Sequence, residues 1–295
     1  MSIELPKLKK VSKNKVKKPK ILLLSDDLRL HSGIATQSKE IVLSTVHKYD
    51  WVQLGAALKH PEHGKTFILD DDVKKTTGVE DASVKIYAHT SYGNPDVLRE
   101  LLNVEKPDAI LHFTDPRFWG WLYQMEHELR RTTPIFYYNI WDDLPYPMWN
   151  EPFYESCDLI MNISKQTHAI VNEVAKKKPR TDWDCTYVPH GINSNIYKPV
   201  EVPKEFKDRL TLNEDFEFIA FWMNRNIRRK QPSDVIWAFE KFRQKLPKDK
   251  QDKVCLIMHT NPIDQNGTDL TAVADRIAPG AKIIFSTERV DQQKL

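Results

Sequence analysis

The stretch FEFIAFWMNRNIRRKQPSDVIWAFEKF, residues 216–242, decides how this chain reads. Its aromatic-rich apolar run ends at Met223 and reads as a buried strand, while Val235, Ile236, Phe239 and Phe242 recur at the spacing of a helix face. The turn between them holds Arg225 and Lys230. In α/β sheets that turn is where ligands sit, because cationic side chains and free N–H groups at a helix N-terminus together favour a phosphate or diphosphate. The alternative is that Arg225, Arg228, Arg229 and Lys230 form a solvated basic loop.

Working outward, the same strand–turn–helix unit recurs. KPKILLLSDD and then HSGIATQSKEIVLSTVHK give a first βα unit, and WVQLGAA (51–57) and VKIYAH (84–89) read as strands. NPDVLRELLNV reads as a helix capped by Asn94 with Pro95 at its first position. AILHF (109–113), PIFYYNIW (134–141) and LIMNIS (159–164) are further short apolar runs. This alternation implies βαβ crossovers and a mostly parallel sheet. Pro199 and Pro203, with charges between them, mark a linker. After it come the strand of 216–223, a helix from about Ser233 to Leu246, the strand VCLIMH, a helix over Leu270–Ile277 and the strand KIIFS, whose outer edge lies open. The expected organisation is a basic flexible tail (1–19), a Rossmann-like domain (20–198), a linker (199–213) and a partial second Rossmann-like domain (214–295).

Composition bounds the rest. The chain has 295 residues, 40% apolar and 29% charged, as in a folded globular protein. No apolar run approaches the roughly 20 residues that span a bilayer, and the N-terminus lacks the apolar core of a secretion signal. Cys157, Cys185 and Cys255 form no C-x-x-C pair, which fits a reducing compartment and argues against a zinc site; the expected location is cytoplasmic. Eight lysines and one glutamate fall in the first twenty residues. Such an arm neutralises nucleic-acid or membrane phosphates, or is simply a solubilising extension.

Several places could carry chemistry. In SDDLRLHSGIATQ, Ser32 and Gly33 open a helix after the first strand, and a glycine there either admits a ligand to the backbone or just lets the chain turn. It is neither G-x-G-x-x-G nor a P-loop. FYYNIWDDLPYPMWNEPFYES (136–156) is dense in aromatics and acids, as a sugar-binding surface requires, or else packs its own long loop. Asp142 and Asp143 follow a strand's carboxyl end, and HFTDPRFWGW (112–121) is similar in kind. His190 and Gly191 in VPHGIN follow a strand and could face a cleft. His112 and His127 stand alone, the histidines lack metal-ligand spacing, and neither a metal nor a cofactor is expected.

Four segments in this order resemble the glycogen-synthase-like, group 1 retaining glycosyltransferases of GT-B fold. They are SGIATQ; DLIMNISKQT, where the family has an acid, an apolar strand and a serine; VPHGINSNIYKP, similar to its P-N/H-G-V/I-D…F-P; and NRNIRRKQPSDVIWAF, similar to its G-R-x-x-x-x-K-G…A. The resemblance implies two Rossmann-like domains and metal-independent transfer of a sugar, with retention, from a nucleotide diphosphate sugar to an unknown acceptor. It implies that Arg225 and Lys230 neutralise the donor diphosphate, that Gly33 offers its backbone to the same phosphates, and that Asp142 contacts sugar or acceptor. Asn224 and Gln231 depart from the family pattern by standing where it has glycines. The family's paired-glutamate segment would fall beyond Leu295, making this a fragment of a longer enzyme or an inactive relative. The rival readings are a noncatalytic nucleotide- or sugar-binding module and a DNA-modifying sugar transferase docked by the lysine tail.

Overall fold

The computed structural model describes residues 17–56, 60–176, 181 and 184–288. The chain forms two compact units that divide between Asn193 and Ser194.

The first unit is built on β1 (Lys20–Asp26), β2 (Asp50–Ala56), β3 (Thr66–Ile68), β4 (Val84–His89), β5 (Ala109–His112), β6 (Ile135–Asn139), β7 (Leu159–Asn162) and β8 (Cys185–Tyr187). Its helices are α1 (Gly33–Thr45), α2 (Asp70–Thr77), α3 (Pro95–Glu105), α4 (Gly120–Gln124), α5 (Glu126–Leu129), α6 (Glu151–Glu155) and α7 (Lys165–Val174). The strands form one sheet in the order β3-β4-β2-β1-β5-β6-β7-β8, parallel except for β3. Side-chain alternation sorts each strand into two apolar layers. Leu22, Leu24, Val52, Leu54 and Ile110 pack with Leu98 of α3, Leu122 of α4 and Ile170 of α7. Leu23, Trp51, Ile86 and Leu111 pack on the other face with Val42 of α1 and Val73 of α2. Each such buried side chain contributes roughly 1.5–3 kcal/mol.

The helix starts follow capping chemistry. The Asn94 carboxamide accepts from the N–H of Asp96 and Val97, both at 3.0 Å, ahead of Pro95. Ser32 caps α1 and Ser164 caps α7, each accepting a backbone N–H three residues on. The serine of the DLIMNIS match therefore has a structural role.

Of the expected basic tail, residues 1–16 lie outside the described residues. Lys18 does not belong to a free arm. Its ammonium donates to the carbonyls of Val46 and Asp81, both at 2.8 Å, and pairs with the Asp81 carboxylate at 2.9 Å.

In the second unit, α8 (Lys204–Leu210) lies within the segment expected to be a linker. It forms because Leu210 packs with Phe216, Cys255 and Ile257. Then follow β9 (Phe218–Met223), α9 (Pro232–Gln244), β10 (Val254–His259), α10 (Leu270–Ile277) and β11 (Lys282–Ser286), in a parallel sheet ordered β11-β10-β9. The expectation that the 216–223 strand is buried is corrected. Strand β10 takes the centre, and β9 is an edge whose Phe218, Phe221 and Met223 are about half exposed. Among the described residues no helix is long and apolar enough to cross a membrane.

Candidate functional site

In the first unit the sheet order reverses at β1, which pairs with both β2 and β5, and such a switch point opens a crevice at the strands' carboxyl ends. Asp26 ends β1 there. Its carboxylate accepts the Ser32 hydroxyl at 2.8 Å, while burial raises its pKa against that bond's opposing effect. Next to it, the fully buried Asp27 anchors the turn. Burial alone would raise its pKa, but the Arg29 guanidinium and His60 Nε2, each within 2.7 Å of its Oδ2, hold it below the usual carboxylate range. A Cβ on Gly55 would lie 2.8 Å from that same oxygen, so β2 needs a glycine beside it.

Gly33 is different. It is the first residue of α1, its φ is not positive, and a Cβ added there meets nothing within 4 Å. Neither the turn nor packing requires a glycine here. The N–H groups of Gly33 and Ile34 make no hydrogen bond among the described residues, so the uncapped part of the α1 N-terminus faces open space.

Strands β5, β6 and β8 bring in His190. Its ring meets Phe113 at 5.8 Å and Tyr138 at 5.2 Å, and Nδ1 lies 3.0 Å from the Tyr138 hydroxyl. That hydroxyl gives its one proton to the Val188 carbonyl, so Nδ1 is the donor and the neutral ring keeps its lone pair on Nε2. Burial against these rings lowers the pKa of His190, which favours the neutral form. Gly191 opens on an apolar pocket of about 580 Å³ lined by Trp51, Leu111, Phe136, Tyr138 and Met161.

Asp142 and Asp143 are exposed in the loop after β6. The Asp142 carbonyl accepts from Gln166 at 3.1 Å, and its carboxylate makes no hydrogen bond or ion pair among the described residues. The loop hangs from buried Asn139, whose side chain accepts the Trp141 N–H and donates to Asn162.

In the second unit, Arg225 and Lys230 occupy the turn between β9 and α9 but differ in state. Arg225 is exposed and forms a two-pronged pair with Asp264, at 2.9 and 3.2 Å, which raises its pKa. The side chains of Lys230 and Arg228 make no hydrogen bond or ion pair among the described residues. Both adjoin the N-terminus of α9, where no side chain caps the helix and Ser233 offers a free N–H. A cleft of about 580 Å³ opens there, lined by Arg228, Gln231, Ser233, Asn266 and Gly267. Gln231 lies in the left-handed region, φ 50° and ψ 48°, at the position where the resembling family has glycine.

Three residues that build this cleft are not apparent from local patterns. The buried Asn226 amide donates to the carbonyls of Asn261, Pro262 and Thr268 at 3.3, 3.0 and 2.7 Å and accepts the Thr268 N–H. Gly267 allows that approach, because a Cβ there would lie 2.3 Å from Asn226 oxygens. Asp264 fixes Arg225. The Asn266-Gly267 pair is a turn signal that marks the loop, though not its partner.

No protein-family model and no curated protein matches the sequence. Solved structures do match by shape. Anabaena HepE in complex with UDP-glucose is 14% identical, with a TM-score of 0.59 over 93% of this chain and 70% of that one. E. coli trehalose-6-phosphate with UDP-2-fluoro glucose is 12% identical, with a TM-score of 0.63 over 93% and 75%. A glycosyltransferase from Rickettsia africae is 12% identical, with a TM-score of 0.58 over 95% and 70%. The chain has the GT-B fold. Its first unit carries an eight-stranded sheet, and the second GT-B domain is present in part. The β1–α1 turn and the β9–α9 turn each follow the first strand of their unit.

Proposed function

We propose that the protein is a glycosyltransferase that moves a sugar from a nucleotide diphosphate sugar to an acceptor, with retention and without a metal ion. The observation that carries this is the β9–α9 turn, where Arg228 lines a cleft at an uncapped helix N-terminus and Lys230 stands two residues before that helix, neither paired among the described residues. Two cations and a helix dipole suit a diphosphate. They would also stabilise the charge that grows on it as the anomeric bond breaks, which is the service a metal ion otherwise supplies. Transfer replaces the anomeric bond to the diphosphate with one to an acceptor hydroxyl oxygen. The diphosphate leaves with the bonding electrons, and the hydroxyl proton passes to it.

In this reading Lys230 holds the diphosphate, and Arg225, steadied by Asp264, points its remaining N–H donors at the same group. Within the first unit, Gly33 and Ile34 offer backbone N–H groups to a phosphate, with Ser32 holding the turn. Asp142 contacts the transferred sugar or the acceptor, Asp143 stands beside it, and His190 presents an unprotonated Nε2 to a hydroxyl. Gly191 leaves the wall beside His190 free of a side chain. The neighbours solved with UDP-glucose and UDP-2-fluoro glucose support a uridine donor.

Calorimetric titration of UDP and UDP-glucose tests this. Lys230→Ala should weaken UDP at least tenfold, about 1.4 kcal/mol, with no change in melting temperature. Undiminished UDP affinity in Lys230→Ala, or no binding by the parent chain, would remove the reading.

A further inference from the structure

At the carboxyl ends of β5 and β6 the first unit carries a shelf of rings held half in water. Phe118, Tyr146 and Trp149 are 49%, 47% and 59% exposed. Around them, Tyr92 stacks on Phe118 at 4.9 Å with planes 11° apart, the Arg117 guanidinium sits 5.2 Å over the Trp141 ring, and Trp141 meets Trp149 at 6.2 Å. A loop that only packed itself would bury these faces, since each large ring gains roughly 1.5–3 kcal/mol by leaving water.

The polar groups beside the rings are oriented for hydroxyl donors. The Asp142 carboxylate makes no hydrogen bond or ion pair among the described residues, and the Asp143 carboxylate accepts the adjacent Leu144 N–H at 2.9 Å and feels the Arg117 charge. Arg117 is neutralised by Asp115 through bonds of 2.6 to 3.1 Å. The shelf therefore offers flat apolar faces and spare acceptors, with no free cation on Arg117.

We infer that this shelf is the acceptor subsite and that it takes a neutral hexopyranoside. The sugar lays its C–H face on Trp149 and gives hydroxyl protons to Asp142 and Asp143. The inference rests on the transferase reading above and supplies the acceptor class that reading leaves open. A phosphorylated sugar or a nucleic acid would bring phosphate against the Asp142 and Asp143 carboxylates, a repulsion of about 1 kcal/mol per close pair even in water. An apolar protein partner would bury those carboxylates unpaired, at higher cost. A pyranoside matches both halves of the surface, since its ring face is apolar and its rim is made of donors.

Tryptophan fluorescence of the full chain, titrated with methyl glucosides, galactosides and mannosides and their disaccharides, reads the site directly. At least one sugar should saturate the signal in the millimolar range. Trp149→Ala and Asp142→Asn should each weaken it about fivefold or more, ~1 kcal/mol, and glucose 6-phosphate should bind more weakly than glucose. Because Trp149 and Asp142 are exposed, both variants should keep the parent melting temperature. The inference is overturned if none of these sugars saturates, if both variants titrate like the parent, or if glucose 6-phosphate or a single-stranded oligonucleotide binds as well as the neutral sugar. A parallel UDP titration separates the two readings: sugar binding without UDP binding removes the donor assignment and leaves the shelf a saccharide site, and the reverse result removes the shelf.

Discussion

Replacing Asn226 with aspartate tests whether one buried amide holds the second unit's cleft in shape. The amide Nδ2 faces three carbonyl oxygens, of Asn261, Pro262 and Thr268. A carboxylate of the same size has no proton to give them and would sit uncompensated where the parent side chain is fully buried. It escapes by staying protonated. Keeping an aspartic acid of ordinary pKa, about 3.9, neutral near pH 7 takes about three pH units at roughly 1.4 kcal/mol each, or about 4 kcal/mol. The neutral acid returns one O–H donor where the amide had two N–H, which adds about 1 kcal/mol. Asn226→Asp should therefore cost about 4–5 kcal/mol near neutral pH. The introduced carboxyl has a folded pKa raised above its unfolded value, so the penalty is small below about pH 4 and grows as pH rises. Urea denaturation of parent and variant side by side, near pH 7 and near pH 4.5, measures both the size and the slope. A loss under about 1 kcal/mol at neutral pH, or one equal at the two pH values, would show that the amide does not hold these carbonyls.

Two further outcomes follow from the first unit. Glu105 is almost fully buried and takes hydrogen bonds from the Lys85 and Lys20 ammoniums and the Tyr87 hydroxyl; burial opposes ionisation, yet these partners hold its pKa down to about 2. Discounted because both lysines reach solvent, Glu105→Gln should cost about 2 kcal/mol at neutral pH. The carboxylate's folded pKa is depressed, so its contribution is fully present above about pH 4.5 and lost as pH falls towards 2, where parent and variant should denature alike. Gly33→Val should change unfolding free energy by no more than about 0.5 kcal/mol, because a Cβ there meets nothing, yet weaken UDP at least about tenfold in calorimetry; equal UDP affinity would exclude phosphate approach at that backbone.

The elements were legible where the signal is local. Apolar runs gave the strands with ends correct to a residue or two, and Asn94-Pro95 gave the start of α3. Strand β3 has three residues and exists through pairing with β4, which no short window reveals, whereas the strand expected before VPHGIN is β8. The 216–223 strand looked buried because aromatic content resembles core composition, whereas as an edge strand with one neighbour it leaves Phe218 and Phe221 about half in water. Lys18 read as tail because its anchor, Asp81, is 63 residues away.

The candidate site divides the same way. That Gly33, Asp142, His190 and the Arg225–Lys230 turn would stand at strand ends follows from topology, and topology was readable. What each one touches was not, because the partners are distant in sequence: Asp264 lies 39 residues from Arg225, and Tyr138 lies 52 from His190. Gln231 shows what a departure from a pattern means once the backbone is known. The left-handed conformation that glycine adopts freely is retained here at about 1 kcal/mol of strain, so the turn between Lys230 and α9 keeps its shape. The change from glycine adds a side chain to the wall of the cleft beside Ser233. In the proposed reading that side chain narrows the approach of a phosphate to the backbone and leaves its binding to Lys230 and Arg228, which like Arg229 make no hydrogen bond or ion pair among the described residues.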